Sequence, residues 1–239
     1  MQNFKNILVF TDGACSGNPG KGGWGAIVCW PEGRVIELGG YDKQTTNNRM
    51  EMLAIIKAID TIGEDERGVD IYTDSTYVIR GITQWIFGWM KRGWKNAQGE
   101  EVKNKELWQW LNRVVRGYKG KINWHYVRGH QGVPGNERVD EIAVIYTKGQ
   151  RPHLYEGSLI EYGVAIHDIP DDSSLPEMKS KSSKKAKAYS YLSYVDGKLE
   201  KHKSWPECEA RVKGRSGAKF KKALSKEDED AIIRSWHLS

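Results

Sequence analysis

The chain lacks any run approaching the ~18 consecutive apolar residues of a membrane-spanning helix, so no membrane segment is expected in its 239 residues. Cysteine is scarce. Cys15, Cys29 and Cys208 are an odd number without CxxC spacing, which argues against a disulfide framework or a structural zinc site. No signal peptide is readable. One lysine and four apolar residues precede Asp12, too short a stretch for secretion, and a cytoplasmic protein is expected. No internal repeat is present. Hydrophobic residues at 38% and charged residues at 28% are ordinary for a soluble protein. The length suits one large domain or two small ones.

Charge is plentiful and uneven. Residues 1–150 carry 20 basic and 17 acidic side chains, net +3; residues 151–178 carry 1 and 6, net −5; residues 179–239 carry 16 and 8, net +8. A concentrated basic tail points to a polyanionic partner, nucleic acid first, although a solubilising tail has the same composition. Residues 149–188 hold Pro152, Pro170 and Pro176, the pair Asp171-Asp172 and the run Lys179-Ser180-Lys181-Ser182-Ser183-Lys184-Lys185. That composition reads as a linker. The expected organisation is therefore a domain over 1–148, a linker over 149–188 and a small basic domain over 189–239. Leu154, Tyr155, Leu159, Ile160, Tyr162, Val164 and Ile166 give the linker's first half enough apolar content to pack somewhere.

The branched run Ile7-Leu8-Val9-Phe10 reads as a strand buried on both faces. It is broken by Asp12 and Gly13, and an ionised aspartate there costs several kcal/mol unless a cation or donor compensates it. Residues 24–30 and 34–38 read as a hairpin that completes an antiparallel meander. Thr45-Thr46-Asn47-Asn48 offers N-caps for a helix with the stripe Met52, Ile55, Ile56 and Ile59. Glu51 falls in its first turn, where an acid also suits the macrodipole. Val69 to Thr73 alternates as a strand, and Asp74 at its end is either a site residue or the next helix's cap. In residues 81–99, Trp85, Trp89 and Trp94 stand among Lys91, Arg92 and Lys95. The mixture suits stacking and phosphate contact, or a small satellite core. A helix over 106–115 would turn Leu107, Trp110, Leu111 and Val114 inward. A strand over 121–127, a loop with His130 and a helix opened by Pro134 complete the domain, with Asp140 beside the stripe of Val139, Ile142, Ala143 and Tyr146. In the last fifty residues, strands over 189–195 and 199–202, a helix capped by Ser204 and a helix over 226–236 flank a basic, glycine-rich stretch over 213–222.

Asp12, Glu51, Asp74 and Asp140 thus come from strand ends and helix starts around one sheet. Unneutralised, such a cluster repels itself severely. An all-oxygen donor set favours Mg²⁺ or Mn²⁺ over zinc. Two such ions about 4 Å apart are the standard arrangement for phosphodiester hydrolysis.

Thr11-Asp12-Gly13, Thr46-Asn47-Asn48-Arg49-Met50-Glu51, Thr73-Asp74-Ser75, Gly129-His130 and Gly135-Asn136-Glu137-Arg138-Val139-Asp140, in this order and spacing, closely resemble the ribonuclease H type 1 family. The resemblance covers about residues 5–148. It implies an α/β, ribonuclease H-like fold, a mixed five-stranded sheet flanked by helices. It implies endonucleolytic hydrolysis of the RNA strand of RNA–DNA hybrids by two Mg²⁺ ions, with Mn²⁺ a substitute, leaving 5′-phosphate and 3′-hydroxyl ends. The alternative is a non-catalytic hybrid-binding protein, which would require a missing carboxylate, and none is missing.

By position, the resemblance makes Asp12 the ligand shared by both metals. Asp140 completes the site of the metal that activates water, Glu51 and Asp74 hold the other, and His130 assists proton transfer or product release. Trp85, Trp89, Lys91, Arg92, Trp94 and Lys95 match a basic protrusion that grips DNA, with Trp89 stacked on deoxyribose. Thr46 and Asn104 match a DNA-phosphate pocket; Asn18, Asn47 and Asn48 match residues that read RNA in the minor groove. Gln44 and Thr76 depart from residues common in the family. The last fifty residues resemble a second module, the hybrid-binding domain of eukaryotic members and viroplasmin-type proteins. There Tyr191, Trp205 and Phe220 would meet sugars, and Lys221 and Lys222 phosphates. The expected partner is an RNA–DNA hybrid, with no obligate protein partner and a monomeric chain.

Overall fold

The computed structural model of the chain describes residues 4–129, 132–169, 173–176, 188–215 and 217–236. The chain divides into two compact units, Met1–Leu175 and Pro176–Ser239.

In the first unit the branched run becomes β1 (Ile7–Gly17), followed by β2 (Gly20–Cys29) and β3 (Arg34–Thr45) in an antiparallel meander. All three strands are longer than the apolar pattern predicts. Gly20, Gly22 and Gly23 resemble loop residues in isolation, yet they lie within β2 with the expected Gly25. α1 (Asn47–Ile62) then crosses to β4 (Val69–Thr73), which lies parallel to β1. Phe10 stands opposite Tyr72, so Asp12 and Asp74 both lie two residues beyond the same pair. A short α2 (Thr76–Arg80), a π turn (Gly81–Trp85) and α3 (Ile86–Lys91) lead to α4 (Lys105–Gly117), β5 (Ile122–Tyr126) and α5 (Pro134–Thr147).

The glycines of β2 seat α5. A Cβ on Gly23 would come 2.2 Å from the Ala143 carbonyl oxygen, and one on Gly25 2.4 Å from that of Val139. Glycine inside a strand marks this kind of backbone approach. On the other face α1 buries Met52, Ile55, Ile56 and Ile59 as its periodicity predicts. α4 departs from its predicted stripe: Leu107 and Leu111 are buried, but the fully buried indole is Trp108, and Trp110 is only partly buried. The cause is Gly81, where a Cβ would sit 1.9 Å from Trp108 Cη2. Trp108 Nε1 donates to the Tyr77 hydroxyl at 3.1 Å.

The sheet has six strands, not the expected five, in the order β5-β4-β1-β2-β3-β6. β6 (Glu156–Ser158) pairs antiparallel with β3 and lies inside the segment read as linker. The linker reading of 149–188 therefore fails for its first half. The physical reason is Glu37, a β3 carboxylate 3% exposed, which must be matched by donors. Arg138 of α5 clamps it with Nε at 2.7 Å and Nη2 at 2.8 Å. The extra segment adds the Tyr155 backbone N–H at 3.0 Å and the Tyr162 hydroxyl at 2.7 Å. Burial pushes the Glu37 carboxyl up, but these donors hold it below the usual range. Ile166 then enters the core with Leu8, Phe10 and Ile27, and the Ser173 carbonyl accepts from the Tyr126 N–H of β5 at 2.9 Å.

The second unit is a three-stranded antiparallel sheet, β8-β7-β9. β7 (Ser190–Val195) turns at Asp196-Gly197 into β8 (Lys198–His202). Both turn residues have positive φ, 50° and 78°, as a tight primed hairpin requires. α6 (Trp205–Val212) follows, and β9 (Lys219–Ala223) forms within the stretch read only as basic and glycine-rich; α7 (Lys226–Ser235) ends the unit. Leu192, Ala223 and Ile232 form one small core, and Val195, Cys208 and Val212 another.

Arg138→Ala would leave Glu37 buried without its cation, and it is expected to destabilise the first unit by about 3–5 kcal/mol. Replacing both residues with methionine is expected to recover most of that loss. Urea unfolding of the wild type, the single and the double variant measures it; equal midpoints for wild type and single variant would contradict the role given to this pair.

Candidate active site

β1, α1 and β4 each deliver one carboxylate to one place. Asp12, Glu51 and Asp74 offer ligand oxygens that all lie within 4.8 Å of one another. Asp12 is 7% exposed and Glu51 8%, while Asp74 is half-buried. Gly13 makes the approach possible: a Cβ there would lie 2.3 Å from the Glu51 backbone nitrogen. Helix α1 begins at Asn47 and has no acid in its first turn, so Glu51 sits one turn deeper than expected. The macrodipole therefore does not account for it. Asp74 is not the cap of α2 either. Ser75 caps it, accepting from the Val78 N–H at 3.3 Å.

Glu51 is oriented by two donors, the Ser75 hydroxyl and Asn47 Nδ2, the latter at 2.8 Å. Asn47, expected to read RNA, is thus also a support of the site, and nothing in the sequence marks Ser75 beyond its place beside Asp74. The Gly13 N–H donates to Asp12 Oδ1 at 2.7 Å. Gly129 lies against Asp74, where a Cβ would come 2.7 Å from Oδ2.

Burial, then the charge of Asp74, with Asp140 and Glu51 adding, pushes the Asp12 carboxyl up to about 9 against the opposing Gly13 hydrogen bond. Burial pushes Glu51 up to about 7, with Asp74 adding and the bonds from Ser75 and Asn47 opposing. Buried carboxylate oxygens this close, with Asp12 and Glu51 both pushed up in the absence of a cation, fit a divalent metal. The group contains oxygen donors alone, the chemistry of Mg²⁺ or Mn²⁺ rather than zinc. Asp140 is half-buried on α5 and acts on Asp12 through its charge, but it is outside the group of mutually close oxygens. His130 lies outside the described residues.

The aromatic and basic residues of 81–99 form a connected ridge. Trp85 and Trp89 have ring centroids 5.8 Å apart, and Trp89 lies 5.3 Å from Trp108. The ridge is half satellite and half core: Trp89 and Trp94 pack on the main core but stay partly exposed, while Lys91, Arg92 and Lys95 are exposed. Thr46 occupies the N-cap position of α1 without a side-chain cap bond. Asn104 holds a left-handed backbone, φ 60°. Its Oδ1 accepts from Arg49 Nη1 at 3.4 Å, and that guanidinium is itself paired with Glu106. Asn18 is exposed in the turn between β1 and β2, and Asn48 is half-buried in the first turn of α1.

In the second unit Trp205 stands 5.9 Å from Tyr191 and 5.5 Å from Phe220, ring to ring. Trp205 is 38% exposed and Phe220 52%. Lys222 stands opposite Tyr191 and shares its side of the sheet, whereas Lys221 stands opposite Leu192 and falls on the other. The five residues expected to act together are thus divided between two faces.

The RNase H family model matches residues 4–147. The ribonuclease H of Maricaulis maris is 51% identical over 149 residues, covering 61% of this chain and 98% of that protein. The ribonuclease H of Brucella anthropi is 52% identical over 153 residues, 64% of this chain and 95% of that one. Among solved structures, the crystal structure of LC9-RNase H1, a type 1 RNase H with the type 2 active-site motif, is similar with a TM-score of 0.56 and 33% identity. It covers 66% of this chain and 80% of that one.

Because Asp12 takes up a proton on folding between its usual 3.8 and about 9, metal-free stability falls as pH rises through that window. Asp12→Asn is expected to stabilise the metal-free protein by about 1–3 kcal/mol near pH 8 and by less near pH 5. Urea midpoints in chelator at the two pH values test this, and a gain independent of pH would contradict it.

Proposed function

This chain belongs to the ribonuclease H family, and we propose from that premise that it hydrolyses the RNA strand of RNA–DNA hybrids. The observation that carries the reading is the convergence of Asp12, Glu51 and Asp74 from three elements into one buried oxygen cluster, with Asp140 close enough to raise the Asp12 pKa. The cofactor we assign is Mg²⁺, two ions per site, with Mn²⁺ as a substitute. When bound, they supply an ionised water and offset charge on the phosphate and the departing oxygen.

The chain's own groups do the rest. Asp12 would be the ligand that serves both ions, Asp140 would complete the site of the one that ionises water, and Glu51 and Asp74 would hold the other. Ser75 and Asn47 fix the Glu51 carboxylate before substrate arrives, so little reorganisation is left for the reaction. Water oxygen adds to phosphorus and the bond to the 3′ oxygen breaks. That oxygen takes up a proton, leaving 5′-phosphate and 3′-hydroxyl ends, and His130 assists the proton's passage or product release. Asn18, Asn47 and Asn48 contact RNA 2′-hydroxyls. Trp85, Trp89 and Trp94 with Lys91, Arg92 and Lys95 hold the DNA strand, and Thr46, Asn104 and Arg49 receive a DNA phosphate.

The second unit we assign as a hybrid-binding module. Tyr191, Trp205 and Phe220 form its stacking surface with Lys222 beside them, and Lys221 adds charge from the other face. It raises affinity through effective concentration. The protein acts as a monomer in the cytoplasm.

With labelled RNA and Mg²⁺, cleavage is expected in an RNA–DNA hybrid and not in the same RNA single-stranded or in an RNA duplex. Asp12→Asn is expected to lose at least a thousandfold in turnover while retaining hybrid binding. Tight hybrid binding without cleavage by the wild type would favour a non-catalytic binding protein instead. Removing residues 179–239 is expected to lower hybrid affinity and flatten its dependence on salt; unchanged values for both would refute the role of the second unit.

A further inference from the structure

Beyond the last turn of α5, on the face of the sheet that this helix covers, lies a cavity of about 400 Å³. Lys21, Tyr41 and Lys43 line it from β2 and β3, and Tyr146 and Arg151 from the end of α5 and the residues after it. Gly39 and Tyr41 share one side of β3 by strand alternation, and Lys43 follows where the β2–β3 register shifts between Gly22 and Gly20. Asp42, between Tyr41 and Lys43, falls on the other side and accepts from the Gln44 N–H at 3.0 Å. The Tyr146 ring lies directly on the sheet backbone, for a Cβ on Gly39 would meet its Cε2 at 2.5 Å. Gly149, with φ 74°, turns the chain so that Arg151 comes back to the cavity.

Among the described residues, Lys21, Lys43 and Arg151 have no ion-pair partner, whereas Arg34 at the other end of β3 is paired with Glu156. Three unmatched cations around a concave space with two tyrosines are the chemistry of a phosphate carrying a planar group. The position fits the substrate. Asp12 stands opposite Gly25 on β2, and Lys21 is four residues along that strand on the same side. The separation is about 14 Å at ~3.4 Å per residue, which is about four phosphate steps along one strand of a duplex. The aromatic ridge of residues 85–95 packs against the α1 side of the sheet, so the cavity and the ridge lie on opposite faces.

We propose that this cavity binds one nucleotide of the substrate's polynucleotide strand, on the side of the carboxylates away from the ridge. Lys21, Lys43 and Arg151 take its phosphate, and Tyr41 and Tyr146 take its sugar or base. The inference rests on the reading of the chain as a hybrid-cleaving enzyme. It adds a substrate contact that determines how far from the cut the enzyme senses its substrate.

The test uses the full chain with Lys43→Ala/Arg151→Ala and, separately, Tyr41→Ala, a residue that is 55% exposed. Hybrids with one cleavage site are extended by about two or about eight base pairs on either side, and affinity is read by fluorescence anisotropy over a range of salt. For the wild type, affinity is expected to rise when the hybrid is lengthened on one side. The double variant is expected to lose three- to tenfold in affinity on that long hybrid only, with its log–log salt slope reduced by about 1. Tyr41→Ala is expected to lose less affinity and to keep the slope. Equal affinities and slopes for wild type and variants at every length would overturn the proposal, as would a loss of the same size at every length. Cleavage of the hybrid by the wild type, measured alongside, tests the enzymatic reading by itself.

Discussion

The close burial of Asp12 and Glu51 beside Asp74 is the constraint on which the rest of the first unit depends. Carboxylates held within 4.8 Å of one another repel when ionised and lose hydration when buried, and both effects oppose folding. The arrangement persists because each acid is fixed to an element whose burial is far larger than the local cost. β1 places Ile7, Leu8, Val9 and Phe10 in the interior, and α1 places Met52, Ile55 and Ile56 there. Gly13 removes the one atom that would hold α1 away from β1. A divalent cation would offset a charge that the backbone has already forced together.

Glu37 is as deeply buried as Glu51 and shows the opposite solution. Arg138, Tyr155 and Tyr162 surround it with donors, so its carboxyl stays below the usual range, whereas Glu51 is pushed up to about 7. One buried acid is neutralised within the protein and the other is left for something that the protein does not contain. That difference, more than burial, separates a structural carboxylate from one available for chemistry.

Much of this was legible in the residues. The branched run before Asp12, the 3.6-residue period of α1 and the places of Asp12, Glu51 and Asp74 at strand ends and a helix start indicated a sheet with an acidic cluster at one end. What stayed hidden shares a cause: the signal lay in a partner distant in sequence. β2 looked short because Gly20, Gly22 and Gly23 carry no side-chain period, and the meaning of Gly23, with Gly25, is the seat of α5. Trp110 fitted the helical stripe, and Trp108 takes the buried place because Gly81, far away in sequence, leaves a space for its indole. The sixth strand followed from Glu37, whose need for donors cannot be seen from the alternation of β3. β9 was masked by its lysines, because a strand at the sheet edge can expose Lys219, Phe220 and Lys221 while burying little more than Ala223.

Helix α5 joins these parts. Within nine residues it carries Arg138 to Glu37, Val139 and Ile142 to the core, Asp140 to the carboxylates and Tyr146 to the basic cavity. Its stripe uses the inward positions for packing, and its flanks, about 100° to either side per residue, reach the sheet edge and the site. A helix so placed can serve both only if it sits at a fixed height above the strands. The glycines beneath it set that height, since any side chain at Gly23 or Gly25 would lift it by the width of a methyl group. A lift of that size would move Asp140 away from Asp12 and open the packing of Val139 and Ile142 on the sheet together. The glycine row in β2 is therefore as much a part of the site as the acids it positions.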